Sequence, residues 1–137
     1  MNDFFYFKYD KNENAGHYWS VTTEFCDEPE KKQFYLSAGD WDGVAGDLDE
    51  WAIVSYEQKQ EVFDFFVKKY PDWKSHELEE DAVQFRERIS TEEMKNIFSL
   101  LYIYCMEEKG DMHSFLELMK ENKIKCEYSA YRSSSDW

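Results

Sequence analysis

The sequence predicts an α+β fold, an antiparallel sheet of three to five strands covered on one face by four helices arranged as two helix hairpins. Three observations predict it. Apolar residues alternate at every second position before residue 55, they recur at helical spacing from 55 to 121, and alternation returns beyond 121. With 137 residues, 42% of them hydrophobic and 19% aromatic, the chain has enough bulky material for one core without disulfides or metal. It reads as a single domain over 1–137, with a β-meander and acidic loop at 1–54, a helical part at 55–121, a final strand at 122–132 and a tail at 133–137.

The first strand is predicted from Phe5, Phe7 and Tyr9 on one face, the second from Trp19, Val21, Thr23 and Phe25, and the third from Phe34, Leu36 and Ala38. Asn12 to Gly16 and Asp27 to Glu30 have turn composition between them. Gly39 to Glu50 holds three glycines and no clear period, which predicts an exposed loop, and Trp51 to Val54 a short apolar strand.

From Ser55 the period becomes helical. Ser55 with Gln58 has the spacing of a capping box, Val62, Phe63, Phe66, Val67 and Tyr70 form one stripe, and Pro71 ends the helix. Leu78, Ala82, Phe85 and Ile89 predict a second helix from about Ser75 to Ile89, with Glu77, Glu79, Glu80 and Asp81 outward. Ser90 with Glu93 predicts the cap of a third helix, whose Met94, Ile97, Phe98, Leu101, Tyr104 and Cys105 face inward until Gly110. A fourth runs from Asp111 to Glu121 on Met112, Phe115, Leu116 and Met119. Ile124, Cys126, Tyr128 and Ala130 alternate as a last strand, and the Ser-rich end from Arg132 reads as a tail.

Charge bounds the partners. Thirty acidic residues against sixteen basic ones give a formal charge of -14, which repels phosphate backbones and anionic lipid and attracts basic protein surfaces. No direct nucleic-acid or membrane partner is expected. The excess is uneven: -8 over residues 1–54, then -3 over 55–89 and -3 over 90–137. Cys26, Cys105 and Cys126 lie far apart with no ligand spacing, which fits reduced thiols in a cytoplasmic protein and gives no zinc motif. The N-terminus has no basic and apolar leader pattern.

Catalysis needs convergent groups, and no such motif is present. His17, His76 and His113 are scattered, no phosphate-cradling glycine loop or nucleophile elbow occurs, and Cys105 falls on an apolar helix stripe, so neither an enzyme nor a cofactor is expected. The acidic segment invites a calcium reading, because hard cations want several carboxylates on one turn. With Gly43 at the sixth position, however, the first falls on Ala38 and the twelfth on Asp49, so one ligand is missing and the bidentate Glu is replaced.

Recognition is the stronger expectation. Asp40, Asp42, Asp47, Asp49 and Glu50 lie close to Trp41 and Trp51 with no basic residue among them, which joins aromatic anchors to charges that Lys and Arg would satisfy. The helix acids Glu77, Glu79, Glu80 and Asp81 extend the candidate interface. In size, acidity and lack of catalytic motifs, the chain resembles the immunity proteins of bacterial toxin systems, such as those of contact-dependent growth inhibition. That resemblance implies an inhibitory protein that neutralises a basic toxin domain. The same features suit a phage DNA-mimic or anti-CRISPR inhibitor of a nucleic-acid-binding enzyme, with carboxylates standing in for phosphates.

Overall fold

The computed structural model describes residues 4–7, 19–42, 46–108 and 112–133, and at several strand positions, 39–42 and 46–48 among them, the backbone alone. Tyr9, the turn at 12–16, His17, Gly43, Gly110 and the tail beyond Ser133 lie outside the described residues.

The α+β expectation holds. Strands β1 (Phe4–Phe7), β2 (Trp19–Glu28), β3 (Gln33–Asp42), β4 (Gly46–Ser55) and β5 (Glu127–Ser133) form one sheet in sequence order, every neighbouring pair antiparallel. Helices α1 (Lys59–Lys69), α2 (Glu80–Arg88), α3 (Glu92–Glu108) and α4 (Met112–Glu121) fall between β4 and β5 in sequence and pack on one face of it.

Alternation selects that face. Phe5, Phe7, Phe25, Phe34, Leu36, Ala38, Ala52 and Val54 are buried and belong to the same core as the helices. The rings of Phe5, Phe25 and Phe85 surround Phe98 of α3 at centroid separations of 5.2, 5.3 and 5.1 Å, a cluster that joins β1, β2, α2 and α3. Each ring excludes water from its neighbours, so loss of one is felt by all.

Several local expectations are corrected. Of the segment Gly39 to Glu50, expected as a loop, residues 39–42 and 46–50 are paired strand, with Asp40 opposite Leu48, Trp41 opposite Asp47 and Asp42 opposite Gly46, and 43–45 lie outside the described residues. The apolar pairs Phe34 with Val54 and Leu36 with Ala52 set this register, and every further rung satisfies backbone groups, which outweighs the poor strand propensity of Gly and Asp. The short strand expected at Trp51 to Val54 is therefore the last part of a ten-residue β4.

At the start of the helical part, the Ser55 side chain accepts from the Glu57 N–H, as an N-cap does, and a turn of 3-10 helix at Tyr56–Gln58 precedes α1. Gln58 does not close a capping box, because its side-chain oxygen accepts the backbone N–H of Lys125 at 3.2 Å and so ties α1 to the approach of β5. Helix α2 starts at Glu80 instead of Ser75, with Trp73–Ser75 a separate 3-10 turn. Thr91, not Ser90, caps α3: its hydroxyl accepts from the Met94 N–H at 3.2 Å. After α4, Lys123 takes a left-handed φ of 57° so that its N–H and that of Ile124 close the last turn on Lys120 and Met119.

The helices do not form two hairpins. Helix α1 and helix α2 each pack chiefly on α3, while α4 packs on β3 and β4. Residues from Ile97 to Cys105 are consequently buried all around α3, beyond the single stripe that the spacing predicts. Arg86 links α2 to α3 by donating from Nε to Ser99 at 2.8 Å and from Nη2 to Asn96 at 2.9 Å. The last strand begins at Glu127, not at 122, and continues through Ser133 as an edge of the sheet.

Candidate functional site

The other face of the sheet carries side chains that the core does not use. Because Phe25, Leu36 and Ala52 point to the helices, their neighbours Glu24, Cys26, Tyr35, Ser37, Trp51 and Ile53 point the opposite way. None of Cys26, Tyr35, Trp51 or Ile53 belongs to the core cluster or packs against it.

Two cross-strand rows are set by the register. One runs Cys26, Tyr35, Ile53 and Glu127; the next runs Glu24, Ser37, Trp51 and Ser129. Beyond them Asp49 stands opposite Gly39, which has no side chain to fill the space between them. Tyr35, Trp51, Ile53, Glu24 and Asp49 are half-buried, so the face presents aromatic and aliphatic surface beside carboxylates.

Its electrostatics follow from this crowding. Burial pushes the Glu24 carboxyl above the usual range; a hydrogen bond with Ser37 opposes that, and the nearby charge of Asp49 adds to it. The two carboxylates thus repel each other at the edge of an aromatic patch, an arrangement that a cation brought from outside would relieve. Burial also raises the Cys26 thiol, partly offset by its hydrogen bond with the Tyr35 hydroxyl, which leaves the sulfur protonated at neutral pH. Cys26 is fully buried there, a small hydrophobe and not a nucleophile.

The structure separates the residues that the sequence groups as one interface. Asp49 and Trp51 share the face opposite the helices. Glu50 points to the helix side, where its carboxylate accepts the Tyr128 hydroxyl at 3.2 Å. Asp40, Trp41, Asp42 and Asp47 occupy paired positions at the far end of the β3 and β4 hairpin. Glu77, Glu79, Glu80 and Asp81 are exposed at the start of α2, whose Phe85 packs on Phe5 and Phe25, so they lie on the helix side of the sheet and away from Asp49.

The interface expected from charge and aromaticity omits Glu24, Tyr35 and Ser37. Their signal in the sequence is the presence of Cys26, Tyr35 and Ile53 at strand positions that a solvated face would fill with polar groups.

Both arms of the candidate calcium segment, 39–42 and 46–49, are extended and paired with each other. Among the described residues, no group of three His, Cys, Asp or Glu side chains is placed to hold a metal ion. Cys105 is wholly buried in α3, and burial alone drives its thiol far up. His76 and His113 are each set beside a single glutamate, Glu107 at 3.3 Å and Glu117 at 3.2 Å, on separate helical segments. No helix among the described residues is long and apolar enough to cross a membrane.

Compared with protein-family models, with curated proteins and with solved structures, the chain matches none.

Proposed function

We propose that this protein is an acidic inhibitory binding protein that neutralises a basic partner protein, in the manner of a cytoplasmic immunity protein blocking a toxin domain. One observation carries the proposal: the sheet face turned away from the helices sets the half-buried Trp51 and Tyr35 beside the carboxylates of Glu24 and Asp49, and burial already holds Glu24 above its usual range. A Lys or Arg from a partner would gain two charge partners and an aromatic surface at once. The formal charge of -14 supports the approach, because it draws a cationic surface inward from beyond contact distance.

The separation of Asp49 from the α2 acids favours one compact patch over a continuous row of phosphate-like charges. An immunity contact needs the former and a DNA mimic the latter. The test is association with a purified Lys- and Arg-rich toxin domain, followed by stopped-flow Trp fluorescence at rising salt. The association rate should fall roughly tenfold or more between low and physiological ionic strength. A rate indifferent to salt would remove charge-led recognition. Competition by duplex DNA for the same partner surface would point to the DNA-mimic reading instead.

A further inference from the structure

Among the described residues the sheet ends on one side at β1, four residues long, and on the other at β5, seven residues long. In an antiparallel ladder, alternate residues aim their backbone N–H and C=O groups away from the partner strand, so roughly three or four residues of an edge this long have no strand partner among the described residues on its outer side. Natural edges guard against stray pairing with proline, inward lysine, bulges or brevity. Strand β5, Glu-Tyr-Ser-Ala-Tyr-Arg-Ser, has no proline and no lysine. Its register with β4 runs unbroken from Ser133 opposite Asp47 to Glu127 opposite Ile53. Glu127, Tyr128, Ser129 and Ala130 are all exposed, and Tyr128, at 53%, is one of two large exposed hydrophobic residues among those described.

We propose that the outer edge of β5 receives an extended, lysine- or arginine-rich segment of the partner as a sixth strand. The inference rests on the function proposed above and adds the mode of contact. Charge decides the occupant. Asp49 and Glu50 of β4 stand opposite Tyr131 and Ala130, so an added strand lies about 10 Å from the strand that carries these two acids, within reach of long basic side chains crossing β5. On β5 itself Glu127 and Arg132 balance in formal charge, so the acidic character comes from β4 and the whole chain. A second copy of this chain would bring a further charge of -14 to the same edge, which opposes self-pairing.

The experiment compares two synthetic ten-residue peptides of identical Lys, Val and Thr content. One alternates for strand formation and the other is spaced for a helix. Amide hydrogen exchange of the full chain is read by NMR. The alternating peptide should bind about tenfold tighter and slow exchange at every second residue of Glu127–Ser133. Equal binding of both peptides without protection at β5 overturns strand addition and leaves charge recognition standing. Binding of neither removes both.

Ser129→Pro and Ala130→Pro sharpen the result, because adjacent N–H groups point to opposite edges and one of the two variants spares the ladder to β4. The variant that keeps the parent melting temperature should lose the alternating peptide; retention would overturn the proposal. Should neither variant fold, the exchange pattern of the parent still decides. A peptide-free dimer that protects the same alternate residues assigns the edge to self-association and overturns it as well.

Discussion

The two faces of one sheet are built from interleaved residues yet obey different physics. Phe25 and Leu36 face helices and vanish into a core of rings, whereas Glu24 and Tyr35, each one residue away, stay half-buried on the face opposite the described helices. The covered face answers to packing alone. The other tolerates a pair of repelling carboxylates that no core would accept. Stability is therefore concentrated on one side and a repulsion between carboxylates, only partly offset by Ser37, on the other, which is the division expected of a scaffold that presents a binding surface.

That division breaks if a change on one face behaves as if made on the other. The largest effect belongs to the covered face. Phe98→Ala removes the ring shared by Phe5, Phe25 and Phe85 and should cost about 3–5 kcal/mol in denaturant unfolding. A loss under about 1 kcal/mol would mean that the cluster does not organise the core.

A smaller effect of opposite sign belongs to Glu24. Its folded-state carboxyl is raised above the unfolded value by burial and by Asp49, so the folded protein holds the proton more tightly. The resulting penalty is absent below the unfolded value, grows as pH rises toward the raised one and is complete above it. Glu24→Gln should thus raise stability at neutral pH, by under about 1 kcal/mol since the group is only half-buried and solvent screens it, and the gain should disappear in acid. Destabilisation at pH 7 would show that the Ser37 hydrogen bond outweighs burial and repulsion.

Much of the architecture was legible because it follows local periods. Phe34, Leu36 and Ala38 declare a strand, and Ile97, Phe98, Leu101, Tyr104 and Cys105 declare a buried helix face. What escaped depended on distant partners. The acidic hairpin looks like a loop until the ladder from Phe34 and Val54 is extended through it. Gln58 looks like a capping residue until Lys125, 67 positions away, takes its oxygen. Ser90 and Thr91 offer two adjacent hydroxyls, and only the turn geometry chooses Thr91.

The candidate site was half visible. Asp49 and Trp51 stood out through charge and aromaticity, while Glu24 joined them only because β2 and β4 both flank β3. The acids of α2 shared their sign but not their face.

The most direct measurement is the association rate of the Glu24→Gln, Asp49→Asn double variant with the same basic toxin domain, taken across a salt series beside the parent protein. The rate at low salt should drop roughly tenfold and its salt dependence should flatten, with the melting temperature held or slightly raised. An unchanged rate and slope would place recognition elsewhere and contradict the assignment of the face opposite the helices.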